Sequence, residues 1–202
     1  MDVYCRHLKI LYLQNNLIEK IEGLNKLKEL EYLNLAVNSV SKIEGLRRCE
    51  SLNKLDMTLN FIDIEDLQES CEEMALCENL VDVYFVGNPC TDWAHFKEYV
   101  IAKCPQIQRI DGNDVTRSER LVAKTKLAEY EAELIQIGEN NRTKKEFEKK
   151  EGIAPQQWSK EERWKQYVED IEKKKADEQK AKETSMFKDY NELVDSMTNV
   201  SA

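Results

Sequence analysis

Apolar residues recur along the first half of the chain in a fixed frame. Leu8, Leu11 and Leu13 lead to Asn16. The frame returns as Leu30, Leu33, Leu35 and Asn38, again as Leu52, Leu55, Met57 and Asn60, and more loosely as Leu80, Val83, Phe85 and Asn88. Asn16, Asn38 and Asn60 stand 22 residues apart, while the step to Asn88 is 28. The alternation around each central leucine predicts a short strand with its leucines turned inward and the intervening residue outward. Each Asn is placed to turn the chain, its amide bonding main-chain groups that the strand no longer pairs. Asn16, Asn38, Asn60 and Asn88 are therefore read as a structural ladder. Behind them, Ile18, Ile21 and Leu24, then Val40, Ile43 and Leu46, brick the opposite side. A 22-residue unit leaves room there for only a helical turn or two.

A fixed period bearing L-x-x-L-x-L-x-x-N is the signature of leucine-rich repeats. The fold class expected is α/β: a right-handed solenoid with short parallel strands on its concave face, followed by a charged α-helical tail. Residues 1–87 supply four recognisable units. The six extra residues of the third unit fall within 63–79, where Leu67, Cys71, Met74 and Cys77 or Leu76 take helical spacing. Residues 88–117 form a cap: Thr91 or Asp92 opens a helix with Trp93, Phe96, Tyr99 and Val100 inward, and Ile107 and Ile110 form an edge before an Asp111-Gly112 turn. No cap precedes Leu8, so the first repeat is expected to present a raw edge. That edge is either completed upstream in a longer protein or covered by a partner.

Beyond Val115 the pattern thins. Residues 118–150 read as a charged amphipathic helix opened by Thr116 or Ser118. Its seam of Ala123, Leu127, Tyr130, Leu134 and Ile137 is a coiled-coil-like heptad stripe of barely two heptads. It packs either on the solenoid flank or on a partner helix, and Gly138 to Asn141 is expected to weaken it. Residues 151–202 read as a second helix and a partly disordered tail, in which Trp158 and Trp164 are candidate partner anchors.

Composition narrows the function. Charged residues make up 34% and the formal charge is −9, which argues against a nucleic-acid binder needing an extended basic stripe. No apolar run is long enough to span a membrane, and no signal-peptide core opens the chain. The six cysteines, Cys5, Cys49, Cys71, Cys77, Cys90 and Cys104, form no C-x-x-C pair, and His7 and His95 are the only histidines. The cysteines are expected to be buried thiols, with no metal and no cofactor. Phosphate loops, nucleophile elbows and H-E-x-x-H are absent from the sequence, so the chain reads as a non-enzyme without a small-molecule substrate.

Function then belongs to the surface. The outward strand columns run Ile10, Tyr32, Lys54, Asp82; then Tyr12, Asn34, Asp56, Tyr84; then Gln14, Ala36, Thr58, Val86. Val37 and Leu59 lie beside them. Ile10, Tyr12, Tyr32, Asn34, Val37, Leu59, Tyr84 and Val86, with an acidic spot at Asp56 and Asp82, make a candidate protein-binding face.

The repeats and the lid N-P…Y-V-I…C-P-Q-I…I-D-G resemble the SDS22-like class with its C-terminal cap. Within it, C-R-H-L-K-I-L-Y-L-Q-N-N-L-I-E-K-I-E, L-E-Y-L-N-L-A-V-N, L-N-K-L-D-M-T-L-N-F-I, V-G-N-P-C and S-E-R at Ser118 to Arg120 are similar to the tilB/seahorse family of dynein axonemal assembly factors. This resemblance implies a cytoplasmic scaffold, possessing a link to the cilium, flagellum or basal body. Its implied partners are dynein subunits, chaperones or co-assembly factors during preassembly of dynein arms. Members of that family carry further repeats upstream and a β-rich module downstream, which residues 121–202 do not match. The alternative on the same fold is an SDS22-like regulatory or ribonucleoprotein-subunit adaptor.

Overall fold

The computed structural model describes residues 5–150 together with Glu162, Lys165, Val168, Glu169, Glu172, Lys173 and Ala176. The chain falls into two units, residues 1–157 and residues 158–202. In the second unit the described residues are all helical, exposed except for half-buried Val168. Trp158 and Trp164 lie outside the described residues.

In the first unit the frame becomes a sheet. Strands β1 (Ile10–Tyr12), β2 (Tyr32–Asn34), β3 (Lys54–Asp56) and β4 (Asp82–Tyr84) are parallel and pair in sequence order. Their register sets Ile10 beside Tyr32, Lys54 and Asp82, and Tyr12 beside Asn34, Asp56 and Tyr84. Between these outward columns Leu33, Leu55 and Val83 are fully buried.

The asparagines explain how each strand leaves the sheet. Asn60 Nδ2 donates to the Leu35 and Met57 carbonyls at 2.9 and 3.0 Å, and its Oδ1 accepts from the Val40 amide at 3.0 Å. Asn38 bridges Leu13, Leu35 and Ile18 in the same way, and Asn88 bridges Met57, Phe85 and Ile62. Each side chain thus replaces ladder bonds for its own turn and for the preceding repeat. The residue just before each Asn has a left-handed backbone: Asn15, Val37, Leu59 and Gly87 all have φ between 55° and 77°. For β-branched Val37 this is unfavourable by about 1 kcal/mol or more, so neighbouring repeats impose the conformation. At Gly87 the glycine is required twice, because a Cβ there would also sit 2.7 Å from Leu59 Cδ2.

The insertion forms α1 (Ile64–Ala75), opened by Asp63, whose carboxylate accepts from the Ile64 amide at 2.7 Å. Leu67, Cys71 and Met74 are buried; beyond the helix Cys77 is buried and Leu76 exposed. The helix is knitted into its neighbours. The Ile43 amide donates to Ser70 Oγ at 3.0 Å, and the Leu46 amide to Glu73 Oε1 at 2.9 Å.

The cap departs from expectation in its helix start. Residues Pro89–Asp92 form a single 3-10 turn, and α2 spans Phe96–Lys103 with no side chain capping it. Thr91 and Asp92 therefore do not open α2. Pro89 favours a tight turn directly after Asn88, and Thr91 Oγ1 is engaged by the Asn88 carbonyl at 2.7 Å. Beyond α2, β5 (Arg109–Ile110) pairs parallel with β4. The chain then reverses through Asp111 and Gly112, both at positive φ, into antiparallel β6 (Asn113–Asp114). Asp-Gly with two positive φ values is the sequence of a two-residue hairpin turn.

Helix α3 spans Arg117–Lys150 without interruption. A capping box opens it: the Glu119 amide donates to Thr116 Oγ1, and the Thr116 amide donates to Glu119 Oε2 at 2.7 Å. Thr116, not Ser118, is the cap. Gly138 to Asn141 stay helical, against the weakening expected there; one glycine costs only about 1 kcal/mol in a helix this long. Ala123, Tyr130 and Leu134 are buried and Leu127 and Ile137 half-buried against the core. The heptad stripe is consumed by the chain's own solenoid flank, facing α1 and α2.

Candidate functional site

The outward face of β1–β4 is organised around Lys54, an ordinary polar position in the repeat frame. Strand pairing sets it between Tyr32 and Asp82. Its ammonium lies 5.2 Å from the Tyr32 ring centroid and 4.6 Å from that of Tyr84. Lys54 Nζ also donates to the Tyr84 hydroxyl at 3.4 Å and stands 3.6 Å from Asp82 Oδ2. Partial burial pulls the Lys54 ammonium down, but the Tyr84 hydroxyl, Asp82 and Tyr32 outweigh it and the net shift is upward. The lysine therefore stays charged, held between two rings. Tyr12 extends the row, meeting Tyr32 edge to face at 5.5 Å. Burial and nearby Asp56 push the Tyr32 phenol up, keeping it a neutral donor and acceptor.

The ten residues read from the strand columns divide in the structure. Ile10 and Tyr12 are exposed, with 50% and 59% of their surface open. Tyr32, Asn34, Val37, Asp56, Tyr84 and Val86 are half-buried. Asn34 and Asp56 also serve the fold, since their side-chain oxygens accept from the Ala36 and Thr58 amides at 2.9 and 3.0 Å. The remaining two leave the patch. Leu59 is buried because its left-handed backbone folds the side chain over Gly87. Asp82 is buried because Arg109 Nη2 donates to its Oδ2 at 3.0 Å while Lys54 approaches from the other side. The acidic spot at Asp82 is thus a neutralised one, and its Oδ1 has no hydrogen-bond partner among the described residues. Lys54, a member of its column, is absent from the predicted face, and Arg109 is absent from the columns altogether. The signal lay in the register itself, which aligns Ile10, Tyr32, Lys54, Asp82 and Arg109 on successive strands.

Chemically the face offers aromatic edges, one caged ammonium, hydroxyls and an amide. It has the make-up of a recognition surface. Among the described residues, no group of three or more His, Cys, Asp or Glu is placed to hold a metal ion. No helix of the described residues is long and apolar enough to cross a membrane. Five of the six cysteines are buried, and all six are free thiols. Burial pushes the Cys49 thiol up to about 11 and that of Cys77 to about 12. Such thiols are poor nucleophiles at neutral pH.

Comparison with known proteins agrees with this architecture. Residues 6–48 match a family model for leucine-rich repeats in two copies. The chain is 51% identical over 133 residues to dynein axonemal assembly factor 11 of Danio rerio, covering 66% of this chain and 30% of that protein. It is also 51% identical over 135 residues to protein tilB of Drosophila melanogaster, covering 66% and 33%. The chain carries leucine-rich repeats and is similar to tilB over about two thirds of its own length. This tilB-like chain spans about a third or less of the length of the curated relatives it matches. Among solved structures, the Drosophila melanogaster SNF/U2A' complex shares its fold, with a TM-score of 0.54 at 24% identity, covering 59% of this chain and 68% of that one.

Proposed function

We propose that this protein is a non-enzymatic interaction scaffold acting in the cytoplasm, or at the base of the cilium or flagellum, during preassembly of axonemal dynein arms. The observation that carries the reading is the 51% identity to relatives named for that assembly step. The strand face from Tyr12 through Tyr32, Lys54 and Tyr84 is the capture surface, and its partners are dynein subunits, chaperones or co-assembly factors. Aromatic side chains flanking a fixed cation supply large contact area at low entropic cost, the usual make-up of an interface hot spot.

The test is loss of the gene in flagellated cells, followed by electron microscopy of axonemes and a pull-down with the tagged full chain. Missing dynein arms and lost motility are the expected result. Intact arms sink the reading and favour a regulatory or ribonucleoprotein-type adaptor on the same fold. The surface is tested separately by Tyr32→Ala with Tyr84→Ala. The double variant keeps its circular dichroism and melting transition but loses partner capture by at least about tenfold, since each buried interface tyrosine commonly contributes 1–2 kcal/mol or so. Unchanged capture moves the interface off the strand face.

A further inference from the structure

Most basic side chains of the repeats follow a rule. A basic side chain on one repeat meets an acid on the next: His7 with Glu29 and Lys28 with Glu50 at 2.6 Å, Lys9 with Glu31 at 2.7 Å, Lys20 with Glu44 at 3.7 Å, and Lys42 with Glu69. The first three pairs are each 22 residues apart, one rung of the repeat. Arg6, Lys26, Arg47 and Arg48 fall outside it, with no ion pair to any described residue. Twenty-two residues beyond Arg6 stands Lys28, and 22 beyond Lys26 stands Arg48. Like charges therefore occupy equivalent positions on successive repeats, although Lys28 is itself paired with Glu50.

Of the four, Arg6, Lys26 and Arg48 line one cleft. Arg6, His7, Asn25, Lys26, Lys28, Glu29 and Arg48 surround an open depression of about 790 Å³ on the edge that leads into β1, β2 and β3. Its cations come from three successive repeats, so they climb the solenoid in single-rung steps. The rest of the molecule is acidic, with a formal charge of −9 overall. That balance repels a nucleic acid or an anionic membrane at long range. A short acidic peptide presents few charges and meets correspondingly less of that repulsion. Extended, it advances about 3.3 Å per residue, so alternate side chains fall about 6.6 Å apart and can engage cations on neighbouring rungs.

We infer that this cleft is a second binding site, which captures an extended acidic segment of a partner protein through Arg6, Lys26 and Arg48. The two guanidinium groups receive carboxylates in forked pairs, Lys26 supplies a point charge between them, and Asn25 offers an amide at the rim. The site shares no lining residue with the tyrosine face.

The test uses the full chain and a fluorescent peptide of alternating glutamate and serine, followed by anisotropy. The peptide binds, binding weakens as salt is raised, and the glutamine–serine counterpart does not bind. The triple variant Arg6→Glu, Lys26→Glu, Arg48→Glu loosens binding by at least about tenfold with an unchanged melting transition. A control of equal charge change on α3, Arg117→Glu, Lys124→Glu, Lys126→Glu, binds nearly as well as the parent. No binding, binding that survives in the triple variant, or an equal loss in the control overturns the site. Tighter capture of oligouridylate or of phosphatidylserine vesicles than of the peptide overturns the assignment to a protein partner.

Discussion

At the scale of single residues, the solenoid is held by side chains that act for two repeats at once. Asn60 is fully buried and joins the Leu35, Met57 and Val40 main chains. Asn60→Ala leaves buried carbonyls and an amide without partners and is expected to cost about 3 kcal/mol in chemical denaturation. Asn60→Asp should be no better, because it removes the donor and sets a carboxylate against carbonyl oxygens. A cost below 1 kcal/mol or so for both variants would show that water or neighbouring amides replace the side chain. Residue identities made this ladder legible, since only Asn recurs at the end of every frame. What the sequence hid was dihedral: nothing in Val37 or Leu59 announces a left-handed backbone, because the conformation is imposed by the rungs on either side. That hidden twist is why Leu59 turns inward and leaves the exposed face.

At the scale of elements, strands were legible and helix limits were not. Strands are set by a period of two and by a register that repeats every 22 residues through the third. Helix starts depend on turn chemistry. At the cap, Pro89 opens a 3-10 turn in which the Thr91 hydroxyl donates to the Asn88 carbonyl, and α2 starts only at Phe96. Helix α3 shows the converse, because tertiary contacts hold it as far as Ile137 and it runs on through Gly138 to Asn141. Trp93 Nε1 donates to Glu133 Oε1 at 3.0 Å, and Lys103 pairs with Glu131 at 3.0 Å. Near the start of the helix, Lys97 pairs with Glu119 at 2.7 Å, and Arg120 donates to the Pro105 and Ile107 carbonyls. The Lys97 bond, with the Thr116 amide and hydroxyl, lowers the Glu119 carboxyl from 4.5 to about 2. The folded state thus binds its proton less readily than the unfolded state. Stability from this group is fully present above about pH 4.5 and is lost as pH falls towards about 2. Melting temperature followed across that window should drop more steeply for the parent than for Glu119→Gln. Parallel curves would remove Glu119 from the acid response.

At the scale of the whole repeat unit, packing is graded along the solenoid axis. Leu11 and Leu13 are half-buried, whereas Leu33, Leu55 and Met57 are fully buried. Equivalent amide bonds exist on each rung: Leu13 to the Asn34 carbonyl, Leu35 to that of Asp56, and Met57 to that of Tyr84, at 2.8, 2.8 and 2.9 Å. Equal bond lengths with unequal cover predict unequal protection. Native-state hydrogen exchange should be fastest at the Leu13 amide, slower at Leu35 and slowest at Met57. Uniform protection across the three would mean that the repeats open only as one block. The overall solenoid was readable because each repeat restates it, while the cross-strand charge pattern was not, since it depends on which side chains the register makes neighbours. Lys54 between two tyrosines, with Arg109 over Asp82, is the instance on the proposed capture face.

The hairpin at Asp111-Gly112 gives the sheet a direction of growth. A parallel strand accepts another copy of itself on its free edge, so a gene encoding such units can lengthen by duplication without redesigning any rung. Once β6 folds back antiparallel on β5, that invitation is withdrawn on its side. Units gained or lost over evolutionary time should therefore fall before residue 109, while the segment from Arg109 to Asp114 behaves as a full stop that moves with the last repeat.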